Sequence, residues 1–159
     1  MTLQELRTSI LVVGPPQRDD VWDEAWRLRL VDNLEELVSH LDKVGITEVF
    51  VDGSFCQNNP HPNDIDGYFL CDRKEYQSGR LEQALTQIDQ VWTWDDQYRR
   101  PDQTTGEMQL PMWHKYRVEL WPDVGQPCGI VDENGKPQRF STAFRQTRDF
   151  KPRGIIKLR

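Results

Sequence analysis

Residues 46–70, ITEVFVDGSFCQNNPHPNDIDGYFL, decide the fold. The run at 46–51 is rich in β-branched and aromatic residues and reads as a strand, and IDGYFL at 65–70 reads as a second. Between them, Gly53-Ser54 follows the first strand directly, and a polar loop with two prolines leads to Asp64-Ile65-Asp66. Alternation along a strand sends Asp64 and Asp66 to one side while Ile65 anchors the other in the core. Carboxylates held that close repel one another unless a cation sits between them or one is protonated. A hard divalent ion such as Mg²⁺ suits such oxygens, with phosphate oxygens and water completing its shell. Gly53 lets the backbone approach a ligand, and the Ser54 hydroxyl with the amides after it offers a phosphate cradle. Phosphate at one end and metal at the other describe a nucleoside triphosphate.

Working outward, Val31, Leu34, Leu37, Val38, Leu41 and Val44 recur at spacings of three and four, predicting an amphipathic helix from Asp23 to Val44. Asp20 or Asp23 caps it, and Gly45 ends it. Upstream, residues 11–20 read as an extended lead-in broken at Gly14-Pro15-Pro16. Downstream, a helix is expected over 75–91 with Leu81, Leu85 and Ile88 on one side, then an irregular surface loop over 92–111. KYRVELW at 115–121 alternates as a third strand, with Lys115, Arg117 and Glu119 on one face. Residues 128–140 read as a hairpin turning at Asn134-Gly135 in a type I′ turn.

The 159 residues, 36% hydrophobic and 29% charged, suit one domain over 1–159. A net charge of −6 argues against a general nucleic-acid footprint. The segment 139–159 is the exception, carrying seven basic residues against Asp149 alone. It reads as a solvated charged end or as a contact for RNA, triphosphate or an acidic partner. No run is long and apolar enough for a membrane and no signal peptide is evident, so a cytoplasmic protein is expected. Three cysteines without a CxxC pair exclude a disulfide framework, and Cys56 is expected to be chemically accessible. His40, His61 and His114 lack metal-ligand spacing. Trp22 and Trp26, four apart on a helix, are expected to pack together or on the core, and Trp92, Trp94 and Trp113, bordering the irregular loop, to pack rather than stack bases.

A Gly-Ser pair after an apolar strand, nine residues, then Asp-Ile-Asp resembles the signature of the DNA polymerase β-like nucleotidyltransferase superfamily, and GITEVFVDGSF strengthens the match. With GPP near the start and FKPRGIIKL at the end, the chain is similar to short nucleotidyltransferase-like proteins of bacteria and phages. The resemblance implies an α/β (α+β) minimal nucleotidyltransferase fold, a short mixed β-sheet flanked by helices. It implies Asp64, Asp66 and Glu119 as catalytic and metal-holding carboxylates, with Asp123 in reserve for the third. Gly53, Ser54, Lys115 and Arg117 become the nucleotide-binding residues, and Mg²⁺, with Mn²⁺ as a substitute, the cofactor. The implied reaction transfers a nucleoside monophosphate from an NTP to a hydroxyl of a protein or RNA, in a toxin–antitoxin or phage-defence setting. The sequence departs from that pattern in its proline-containing Gly-Ser loop, in Gly67 where a bulky apolar residue is usual, and in Glu rather than Asp at 119. These departures support an alternative: a catalytically inactive protein of the same fold that binds a protein or nucleic acid through its basic tail and aromatic loop.

Overall fold

The apolar stripe is realised as a long helix. In the computed structural model, which describes residues 1–17, 21–147 and 149–159, short helices α1 (Leu3–Arg7) and α2 (Ile10–Val13) precede α3 (Glu24–Lys43). Asp23 caps α3 by accepting from the Trp26 backbone N–H, and Gly45 follows its C-cap with φ 80°. Asp20, the other cap candidate, and Arg148 of the basic segment lie outside the described residues. The extended reading of residues 11–20 is corrected at 11–13, because the Ser9 hydroxyl caps Leu11 and starts a turn of helix that Gly14 ends, and residues 18–20 lie outside the described residues. Trp22 precedes α3 rather than sharing it with Trp26. It donates to the Val12 carbonyl, while Trp26 donates to Pro62.

Strand β1 (Val49–Asp52) starts later than expected, since Ile46 is still bonded to Leu41 at the helix end. Strand β2 (Ile65–Leu70) matches its expected limits. The helix expected over 75–91 is two, α4 (Arg73–Gln77) and α5 (Arg80–Ile88), separated by Gly79 in the left-handed conformation. Residues 92–111 are less irregular than their sequence: a 3₁₀ turn at Asp96–Tyr98 leads to a hairpin of β3 (Arg100–Pro101) and β4 (Met108–Gln109). Pro111 then opens α6 (Pro111–Tyr116), and β5 (Val118–Asp123) follows. The strand expected over 115–121 is therefore displaced, with Lys115 in a helix and Arg117 left-handed at φ 54°. After the hairpin at 128–138 come α7 (Phe140–Ala143) and β6 (Ile156–Lys157). That hairpin is not type I′: Gly135 has positive φ and Asn134 does not, and Gly135 bonds back to Asp132.

The four-stranded sheet has the order β5-β2-β1-β6, with β2 parallel to β5 and antiparallel to β1, and β6 antiparallel on β1. Helices and a mixed sheet make this an α+β fold. One face, with Val49, Val51, Ile65, Phe69, Val118 and Leu120, joins Leu30, Leu34, Leu37 and Leu41 of α3 in the core. Burying one such side chain contributes about 1.5–3 kcal/mol relative to exposure. Aromatic rings from the C-terminal segment cover part of the other face: Phe144 meets Tyr68 and Phe140 stacks on Trp121. Among the described residues, no helix is long and apolar enough to cross a membrane.

Candidate active site

Register builds the site. Asp52 pairs with Asp66 across β1 and β2, and Asp66 pairs with Glu119 across β2 and β5. Directly opposed residues share a face, so three carboxylates form one row on the face away from α3. Asp64, two residues before Asp66, joins from the strand's entrance. Asp52 is the member that sequence reasoning missed. Its signal was its place immediately before Gly53-Ser54, at the end of a strand paired with the Asp-Ile-Asp strand.

Two glycines are fixed by this packing. Gly53 has φ 79°, and a Cβ there would lie 2.1 Å from Asp66 Oδ2, so only glycine admits the carboxylate against its backbone. Gly67 has no space for a side chain either, because a Cβ would meet the Phe50 carbonyl oxygen at 2.5 Å and Leu120 at 2.8 Å. Its departure from the family pattern is thus a packing requirement of this sheet. Ser54 opens a three-residue 3₁₀ turn, Ser54–Cys56. Beyond it, buried Arg27 donates to the carbonyls of Phe55, Asn59 and Leu11, and His61 bonds Asp23 and stacks on Trp26. The proline-containing loop is held by the start of α3 rather than by a helix of its own. Cys56 is half-buried, and burial pushes its thiol up to about 12, so it stays protonated.

The row is short of positive charge. Burial first, then Asp64, Glu119 and Asp52, push the Asp66 carboxyl up to about 7. Burial raises Asp52 to about 6 against the pull of Arg153, which donates to Asp52 Oδ2, while Oδ1 is buried without a partner. Asp64 and Glu119 are also raised, chiefly by burial. Asp64 does not bond its own backbone as a turn residue would. Its Oδ2 accepts from Trp113 Nε1 at 2.7 Å, and Glu119 accepts from the Leu110 N–H at 3.3 Å.

A cleft of about 830 Å³ opens over these groups and contains Gly53, Ser54, Asp64, Asp66 and Glu119 together. Arg153 lines it too. Lys115 and Arg117 do not: Lys115 pairs with Asp89 at 2.7 Å, and the Arg117 guanidinium lies 3.7 Å over the Trp113 ring. Their expected placement beside Glu119 fails because α6 extends to Tyr116. Asp123 lies four residues along β5 from Glu119, about 13 Å at strand rise, where it accepts from Gly125 and Ser141. Among the described residues, no three His, Cys, Asp or Glu side chains are arranged to hold an ion as they stand. The donor set itself, oxygen only and mutually repelling, suits a hard cation held by Asp64, Asp66 and Glu119.

Over residues 1–159 the chain matches, and belongs to, the family described as being of unknown function, DUF6932. No curated protein and no solved structure matches it.

Proposed function

We propose that this member of the DUF6932 family is a Mg²⁺-dependent nucleotidyltransferase, moving a nucleoside monophosphate from an NTP to a hydroxyl of a protein or RNA acceptor. The observation that carries the reading is the set of Asp64, Asp66 and Glu119, each raised in pKa chiefly by burial, lining one cleft with Gly53 and Ser54. A divalent ion, Mg²⁺ or Mn²⁺, bound there supplies charge stabilisation to the triphosphate.

The chain's own groups set the geometry. Asp66 lies against the bare backbone of Gly53, so a triphosphate reaching the carboxylates also meets the Gly53-Ser54 backbone. Trp113 and the Leu110 amide fix the Asp64 and Glu119 carboxylates in place before substrate arrives. Arg153 lines the cleft, where Lys115 and Arg117 do not, and Arg117 still pulls on the Asp64 carboxyl from outside it. An acceptor hydroxyl attacks the α-phosphorus in line and pyrophosphate leaves, with the rate coming from positioning and electrostatics.

The test is calorimetric titration with each of four NTPs, with and without Mg²⁺, on wild type and on an Asp64→Ala/Asp66→Ala variant. Metal-dependent binding lost in the variant supports the reading. A folded wild-type protein that binds none of them sinks it. That result would favour the silent, partner-binding alternative, to which the engagement of Arg153 by Asp52 lends some support.

A further inference from the structure

Beyond the cleft, this acidic protein keeps a basic hollow. It measures about 680 Å³, and Arg100, Arg117 and His114 line it together with Asp102. Asp102 is buried and already accepts from the Thr105 N–H and hydroxyl, both at 3.0 Å. His114 is bonded through Nε2 to the Arg100 carbonyl at 3.0 Å. Arg7, Arg80, Arg99 and Arg153 each hold a carboxylate. The guanidiniums of Arg100 and Arg117 have no hydrogen bond and no ion pair among the described residues. Two cations lining one hollow without such a partner suit an anion.

Arg117 supplies a second observation. It ends α6 at φ 54° and ψ 37°, the left-handed position that glycine usually takes. A large side chain kept there against its backbone preference points to a use for that side chain. Its guanidinium lies 3.7 Å over the Trp113 ring, a contact through the π face that engages none of its five N–H donors.

The hollow adjoins the cleft. Trp113 donates from Nε1 to Asp64 Oδ2 at 2.7 Å, so no more than one indole ring stands between Arg117 and a cleft carboxylate. Arg100 pairs across β3 and β4 with Gln109, which lines the cleft. We propose that the hollow takes the phosphate of the last nucleotide of an RNA acceptor, whose 3′ hydroxyl is thereby presented to the carboxylates. One sugar separates those two groups in a terminal nucleotide, a spacing that suits a phosphate site and a hydroxyl site divided by one aromatic ring. The planar fork of a guanidinium matches phosphate oxygens. Such a contact is local, in keeping with a net charge of −6 that gives no broad nucleic-acid footprint. This inference chooses RNA over protein as the acceptor of the transfer reading above and rests on that reading.

The experiment is fluorescence anisotropy in a chelator, without NTP, on a single-stranded RNA labelled at its 5′ end and carrying either a 3′ hydroxyl or a 3′ phosphate. Wild type, Arg100→Ala and Arg117→Gly are compared. Glycine suits the left-handed backbone, so Arg117→Gly removes the guanidinium while the fold is kept, as a thermal melt checks. Each variant should bind the 3′-hydroxyl RNA about tenfold more weakly and lower the salt slope of log K by about 0.7, the loss of one phosphate contact. Wild type should bind the 3′-phosphate RNA about tenfold less tightly, because the added charge falls among carboxylates. RNA that does not bind folded wild type, an affinity unchanged in both variants, or the two RNA ends bound alike would overturn the acceptor site and leave the transfer reading standing with a protein acceptor. Failure of the NTP titration above would instead remove the transfer reading and the acceptor role together.

Discussion

Replacing Asp66 with Asn tests the electrostatic account of the carboxylate row most directly. No hydrogen bond is made to the Asp66 carboxylate among the described residues, and its raised pKa comes from burial and from Asp64, Glu119 and Asp52. The folded state therefore holds a proton that the unfolded chain releases near pH 4. Between that point and the folded value of about 7, the native state binds more protons than the unfolded one, so the metal-free protein loses stability as pH rises. At about 1.36 kcal/mol per pH unit the full displacement corresponds to about 4 kcal/mol. The group opens on the cleft and shares its repulsion with three neighbours, so about 2 kcal/mol is expected for the single site. For a chain of this size that is about 4–8 °C in Tm. Melts in a chelator near pH 4 and near pH 8 should show the two proteins alike at the lower pH and Asp66→Asn the more stable at the higher. Added Mg²⁺ should stabilise wild type alone. A variant less stable than wild type near pH 8, or an offset equal at both pH values, would refute the reasoning and make Asp66 an ordinary structural acid.

Gly53→Ala would drive a methyl into Asp66 and strain a left-handed backbone, costing about 1–3 kcal/mol in urea unfolding; an unchanged midpoint would contradict the packing. Arg153→Ala lifts the Asp52 carboxyl still higher, and should cost about 3–5 kcal/mol at alkaline pH, where Asp52 is charged and uncompensated. The loss should shrink near pH 5, where Asp52 takes up a proton, its raised carboxyl making the folded state the better proton acceptor. Lys115→Ala removes the pair with Asp89 and a contact over the Tyr116 ring, both away from the cleft, and NTP affinity should not change; a loss of affinity would return Lys115 to the site. Arg27→Met leaves the Phe55 and Asn59 carbonyls without their donor, and should cost about 2–4 kcal/mol with faster amide exchange across residues 55–61.

What the sequence disclosed was whatever a periodic pattern or a local stop signal encodes. The α3 stripe, its Asp23 cap, its Gly45 end and the limits of β2 all follow from neighbours within one or two turns. Helices α1 and α2 escaped because pieces of five and four residues have almost no period and depend on side-chain caps from Thr2 and Ser9. The single helix read over 75–91 ignored Gly79, whose left-handed geometry lets α5 begin afresh after α4. For Lys115 and Arg117 the alternation was real, but Pro111 at a helix start outweighed it. Tertiary bonds then consolidate that helix, with Asn33 donating to the Tyr116 carbonyl and Trp113 to Asp64.

The site divides along the same line. Asp64 and Asp66 were legible because strand alternation is local, and Glu119 because the resemblance implies a third carboxylate on a later strand and Glu119 lies on the polar face of one. Asp52 required knowing that β1 and β2 pair with Asp52 opposite Asp66, a fact of register that no single strand contains. Arg153 required more, since the residue that pairs with Asp52 lies 101 positions away in sequence. The excess charge of 139–159 was visible, but its use was not: Lys157 pairs with Glu48 at the sheet edge, Lys151 with Asp149, and Arg153 with Asp52. A basic tail on an acidic protein invites the reading of a free arm for nucleic acid. Here three of its seven basic residues are paired within the chain, and because β6 lies along β1 to complete the sheet it carries Arg153 with it to the cleft. The same course brings Phe144 and Phe150 to the cleft wall, so the segment that looked like an appendage lines part of the cleft.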